Sequence, residues 1–194
     1  MPDPPRRPHL ILASRSPRRR ELLAAAGYEF DVIPPSEAAE AGGPANESPA
    51  ELVARLAYRK AADVAGRIDC GAVLGCDTVV ECGGRILGKP ASREHARHML
   101  QTLRGREHRV LSGICLWEVP GGQPQVRVAT STLRMDLLSG LQIDEYLDSQ
   151  QWQGKAGAFG YQDRLGWVHV IEGSESNVVG LPLELLAEML RATG

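Results

Sequence analysis

The chain has 194 residues and a mass of 21.0 kDa, enough to bury a core of its own without disulfide staples. Its 22 Lys and Arg against 24 Asp and Glu give a net charge of -2, which excludes a broadly basic nucleic-acid coat protein but leaves room for a local basic patch. With 43% hydrophobic residues the chain is not wholly disordered, and no run of roughly 18 apolar residues suggests a membrane span.

Residues 1–9 are rich in Pro and Arg, lack a signal-peptide apolar block, and read as a flexible extension ahead of a single domain over 10–194. Leu10 to Ala13 is a short buried strand. Ser16 and Pro17 then open a helix whose inward face is Leu22, Leu23 and Ala26, with Gly27 as its stop. Tyr28 to Ile33 reads as a second strand. Pro34 to Glu47, with its Pro, Gly and the acidic Glu37, Glu40 and Glu47, reads as an exposed, mobile loop.

Stronger signals follow. Ser48, Pro49 and Glu51 form a capping box ahead of Leu52, Val53, Leu56, Ala57, Lys60 and Val64 at helical spacing. Val73 to Cys76 is a strand that ends at Asp77, with Thr78 to Val80 still extended, and Gly83-Gly84 turns the chain before Ile86-Leu87. Ser92 caps a helix with Ala96, Met99, Leu100 and Leu103 on one face. Strands over Arg109–Trp117 and Val126–Met135, a short helix over Ser139–Leu147, a strand over Trp167–Ile171 and a helix over Pro182–Leu190 complete an α/β alternation with some antiparallel pairing. Cys70, Cys76, Cys82 and Cys115 show neither CxxC nor zinc spacing and read as reduced thiols of a cytoplasmic protein.

Three constellations can carry chemistry. Ser14, Ser16, Arg18 and Arg19 lie at the start of the first helix, where free amide donors and the helix dipole favour an anion and guanidinium groups suit phosphate. A solvated basic helix start is the plain alternative. Asp77 and Thr78 follow an apolar strand; there a carboxylate can position water or bind Mg²⁺ together with phosphate oxygens, or be merely structural. Glu37 or Glu40 could supply a second metal carboxylate. The third is Gly154 to Gln162, whose small residues let a ligand approach the backbone, whose Lys155 adds charge, and whose Gln162 can read a base edge; a flexible turn is its bland reading. Gly173 to Asn177 is a further polar turn at the approach. Lys89, in a Gly-Lys-Pro loop, can reach a phosphate.

Taken together, LASRSPRR, RLAYRKA, GCDTVV, LGKP, GKAGAFGYQ and NVVGLPL closely resemble the Maf family of nucleoside triphosphate pyrophosphatases, from Leu10 to about Leu190. The resemblance implies a Maf/Ham1-like elongated α/β fold, a mixed twisted sheet with flanking helices and a cleft between two lobes. It implies hydrolysis between the α and β phosphates with a divalent cation, Mg²⁺ or Mn²⁺. Its site residues fall on Asp77, Lys60 and Lys89 for catalysis, on Ser14, Ser16, Arg18, Arg19 and Lys155 for phosphate, and on Arg18, Thr78 and Gln162 for specificity. Asp77 and Glu40 are its metal carboxylates, with Glu37 the other choice for the second.

The Lys155–Gln162 loop resembles the branch acting on dTTP and UTP. Phe159, Tyr161, Asp163 and Cys76 depart from that branch's usual tyrosine, isoleucine, glycine and alanine. The alternatives are a 7-methyl-GTP pyrophosphatase, a phosphohydrolase releasing orthophosphate in place of pyrophosphate, or a nucleotide- or nucleic-acid-binding regulator of septum formation. The expected partner is a small-molecule nucleoside triphosphate, with no membrane and no stable nucleic-acid partner, and the family is compatible with a homodimer.

Overall fold

The computed structural model of the chain describes residues 9–44, 46–163 and 165–192; the expected extension lies outside them apart from His9. Leu10–Ala13 (β1) is buried at every position, as an all-apolar run requires. It pairs in parallel with Phe30–Val32 (β2) on one side and Gly71–Cys82 (β3) on the other. The helix Pro17–Ala25 (α1) makes the first crossover and Pro49–Ala65 (α2) the second. Arg85–Leu87 (β4) folds back on β3, Arg93–Leu103 (α3) follows, and Glu107–Val119 (β5) runs antiparallel to β3 along almost its whole length.

Gln125–Met135 (β6) and Val168–Glu172 (β7), separated by Gly140–Asp148 (α4), complete a seven-stranded mixed sheet in the order β2-β1-β3-β5-β6-β7, with β4 beside β3. Glu175–Val179 (α5) and Leu183–Ala192 (α6) end the described chain. This is the mixed sheet with flanking helices expected above.

Two residues of one strand can reach two different layers, and β3 uses this. On one face Ala72, Leu74 and Cys76 pack with Leu23 of α1 and Leu186 and Met189 of α6. Further along that face Val80 and Cys82 join a second apolar cluster with Leu100 and Leu103 of α3 and Leu147 of α4. Thr78 sits between these clusters. The opposite face, with Val73, receives Ala57, Ala61 and Val64 of α2.

That helix lies directly on the strands. A Cβ at Gly75 would stand 2.2 Å from the Ala57 carbonyl oxygen, and one at Gly113 2.2 Å from that of Val53. The close approach brings Lys60 of α2 over Asp77.

The caps at Ser48 and Ser92 form as read, each hydroxyl accepting a backbone N–H, at 3.3 Å from Glu51 and 3.1 Å from His95. Each such cap is worth about 1 kcal/mol. Four expectations need correction. The strand does not end at Asp77: β3 continues to Cys82 because the β5 ladder pairs it throughout. Ala26 is exposed, since α1 stops at Ala25 and only Arg19 and Leu23 of it are buried.

The Pro34–Glu47 segment is not a free loop. Its Glu37–Glu40 forms a 3₁₀ turn, and α2 grips it with Arg55, Arg59 and Asp63, and Arg67 just beyond, a stripe spaced four residues apart. Arg59 donates to the carbonyls of Ala38, Ala41 and Gly42, Arg55 to Gly42 and Glu47, Asp63 accepts from Ser36, and Arg67 donates to Pro34. The polar turn after Gly173, finally, becomes the capped start of α5, with the Ser174 hydroxyl accepting from Asn177 N–H.

Candidate active site

A cleft of about 370 Å³ opens between the two apolar clusters. Its floor is the β1–α1 connection with Ser14 and Ser16, and Asp77 and Thr78 of β3; Lys60 reaches it from α2 and Glu40 from the 3₁₀ turn. The other wall is Lys89, after β4, and the segment from Gln153 to Gln162 with Lys155. The residues expected from the sequence to bind phosphate, catalyse or select the base therefore line one cavity. Glu37 is absent from its lining, and Glu40 is present.

The Lys60 Nζ lies 2.7 Å from Asp77 Oδ1 and 3.4 Å from Glu40 Oε1. Lys60 is buried and Asp77 only partly so, which leaves the carboxylate open to a ligand while its partner is held. Among the described residues no group of three or more His, Cys, Asp and Glu side chains could hold a metal ion. Two carboxylates converging on one cation are nonetheless what Mg²⁺ commonly finds in a protein, the rest of its octahedron coming from phosphate oxygens and water. Asp77 and Glu40 fit that role.

Arg18 and Arg19, adjacent in sequence, do different work. Arg19 is buried and acts as a strut: its Nε donates to Gly180 O at 2.8 Å, one terminal nitrogen to Ser14 Oγ at 3.2 Å, and the other to Thr78 Oγ1 at 3.1 Å. The same Gly180 carbonyl accepts from Thr78 Oγ1 and Cys76 Sγ. Burial pushes the Cys76 thiol up, so it is a packing group here and not a nucleophile. Arg18 faces the cleft and spans it, donating to Gly154 O at 3.0 Å. Burial, then the neighbouring Arg19 cation, lowers its pKa from the ordinary guanidinium value.

Ser16 is the N-cap residue of α1, but its hydroxyl makes no capping bond, and its N–H donates to Ser14 Oγ at 3.2 Å. The α1 amides therefore have no side-chain competitor for an anion. Lys89 and Gln162 are exposed on the cleft wall. Lys155 is different, its ammonium lying against both Asp163 oxygens.

Several residues of the site escaped the sequence. Ser112 meets Thr78 at 2.8 Å because the β3–β5 register places the two opposite one another. Asn177 is fully buried, donating to Val110 O at 3.1 Å and Ser131 Oγ at 2.9 Å, and so anchors the helix that precedes Gly180. Ser112 has no local signal and only strand pairing reveals it. Asn177 reads in the sequence as the end of a polar turn, and its buried anchoring role appears only where α5 packs on β5 and β6. Asp163 did carry a local signal, as a departure from the glycine usual after Gln162.

The fold and the cleft define an α/β protein with a cation-lined cleft at the edge of its first helix, and the sequence places it further. The family described as Maf-like protein matches residues 9–193, and the chain belongs to that family. It is 58% identical over 182 residues to the dTTP/UTP pyrophosphatase of Rhodopirellula baltica, covering 93% of this chain and 80% of that one. It is 40% identical over 186 residues to the dTTP/UTP pyrophosphatase of Pelotomaculum thermopropionicum, covering 95% and 96%. In structure it resembles a HAM1 protein from Coxiella burnetii, with a TM-score of 0.52 at 19% identity over 95% of this chain and 98% of that one, which is a likeness of fold.

Proposed function

We propose that this chain hydrolyses dTTP and UTP between the α and β phosphates, releasing the monophosphate and pyrophosphate. The observation that carries the reading is the Lys60–Asp77 pair, 2.7 Å apart, at the floor of a cation-lined cleft in a chain of this family. The relatives named dTTP/UTP pyrophosphatase support the choice of substrate.

The triphosphate lies across the α1 N-terminus, with Ser14, Ser16 and Arg18 on its oxygens. Lys60 and Lys89 stabilise charge that grows on the phosphates as the bond breaks. Lys60 holds Oδ1 of Asp77, so the second oxygen of that carboxylate is the one to orient the attacking water and take its proton. Asp77 and Glu40 would hold Mg²⁺ or Mn²⁺, which when bound neutralises phosphate charge and makes water a better nucleophile. Arg19 acts indirectly, fixing Ser14 and Thr78, and Thr78 with Gln162 selects the base.

Product analysis with dTTP, UTP, CTP, GTP and 7-methyl-GTP tests this. Monophosphate and pyrophosphate from dTTP and UTP are expected; release of orthophosphate, or preference for 7-methyl-GTP, overturns it. Asp77→Asn should lower kcat by about 10²–10⁴-fold if the carboxylate moves the proton. Turnover near the wild-type value in a folded variant would remove Asp77 from that role.

A further inference from the structure

Lys155 and Asp163 meet in the cleft wall opposite Asp77. The Lys155 Nζ lies 2.6 and 2.5 Å from the two carboxylate oxygens, and the side chains are only 11% and 9% exposed. Tyr146 adds a third donor, its hydroxyl 3.0 Å from Asp163 Oδ2. Burial, and then the carboxylate it faces, push the Tyr146 phenol up, so it stays a donor.

Gly160 completes the fit. A Cβ there would stand 2.6 Å from the Lys155 Nζ and 2.7 and 2.9 Å from the Asp163 oxygens. Asp163 also ends the 3₁₀ turn that carries Gln162. The pair is thus desolvated, bidentate and closed around by its neighbours, an arrangement that is costly to separate. Lys89, exposed on the same wall, is the cation more freely placed to meet a phosphate.

The geometry points to Asp163 as a positioning residue that cancels the charge of Lys155 and keeps that ammonium off the phosphates, so that this wall supports Gln162 without adding to the grip on pyrophosphate. The inference rests on the pyrophosphatase reading of the cleft. It assigns Lys155 a structural charge where the family resemblance implied a phosphate ligand. It also gives the aspartate a purpose: a cleft that already holds Arg18, Lys60 and Lys89 would retain a highly charged product if one more cation were uncovered.

Calorimetric titration of pyrophosphate into three proteins tests it. In Asp163→Asn the acceptor for Tyr146 is kept and the charge is lost, so pyrophosphate should bind about tenfold more tightly than to the wild type. The kcat and KM for dTTP should fall together as product leaves more slowly. In Lys155→Met/Asp163→Asn the net charge equals that of the wild type, and affinity should stay within about threefold of it.

If Asp163→Asn binds pyrophosphate no more tightly, the assignment fails. It also fails if the double variant binds about tenfold or more weakly, because Lys155 would then touch the phosphates directly. Should Asp163→Asn not fold, the double variant still decides, since it buries no lone charge. Failure of the wild type to hydrolyse dTTP and UTP would sink the pyrophosphatase reading instead, and calorimetry without turnover keeps the two results apart.

Discussion

Two segments without long regular structure close the cleft from opposite sides, and they are held by different physics. The 34–47 segment, which delivers Glu40, is fastened by side chains of α2 acting mostly on its backbone carbonyls at or near the surface. The 153–163 segment, which delivers Lys155 and Gln162, is fastened by a buried ion pair, by Gly157 N–H on the Gly88 carbonyl at 3.0 Å, and by Phe159 packed edge-on against His108. Many exposed contacts tolerate the loss of one and weaken with salt; a few buried contacts do not. The first segment can adjust to a ligand at little cost, whereas the second is a fixed template.

The sharpest way to break this contrast is Lys155→Ala, which leaves the Asp163 carboxylate buried and unpaired. It should cost about 3–5 kcal/mol in urea unfolding. A loss below 1 kcal/mol, on the order of a surface pair, would show that the two segments are held alike.

Acid probes the strand on which that segment packs, through His108 of β5. Burial lowers the pKa of His108 from the usual 6.5 to about 4, and its Nε2 has no hydrogen-bond partner. The unfolded chain takes up this proton first, so the stabilisation is present above pH 6.5 and is lost as pH falls from there to about 4. The expected loss is about 3 kcal/mol, read from urea midpoints across that range and flattened in His108→Leu. A midpoint that stays level between pH 6.5 and pH 4 would contradict the neutral buried ring.

The smallest effect belongs to the other side. Arg59→Gln removes the side chain that reaches the Ala38, Ala41 and Gly42 carbonyls, so the 34–47 segment should be cut several-fold faster by protease while the thermal midpoint moves little. If Glu40 on that segment holds the metal as proposed, the Mg²⁺ concentration for half-maximal activity should rise, by about tenfold at most, the low end for losing a group that orients a ligand. Salt near 1 M, where screening reaches about 3 Å, should mimic the variant in the wild-type protein. Unchanged cleavage would mean that Arg59 is not a fastener.

Legibility followed the range of the interaction. Caps and apolar faces lie within one turn of helix, so Ser48–Glu51 and the Ala96, Met99, Leu100, Leu103 face of α3 could be read directly. Apart from Glu37, the side chains expected at the site line the cleft, because motif residues are identified by type and spacing. Their partners could not be read. Arg18 and Arg19 both read as phosphate ligands along the chain, and only the return of Gly180 against Thr78 makes Arg19 the strut. The 34–47 segment looked mobile from its own composition because what restrains it is written in α2, as a charged stripe on the face away from the apolar one.

The seating of α2 on the sheet has a consequence for how this enzyme can change over time. Between helix and strand at Gly75 there is backbone against backbone, with Ala57 and Ala61 on either side of Lys60. No compressible layer intervenes, so a single methyl group at that glycine would lift the whole helix and carry the lysine away from its aspartate. A position with no chemistry of its own thus sets the separation of Lys60 and Asp77, and if that pair acts as proposed, drift there should be punished as severely as loss of a charged residue.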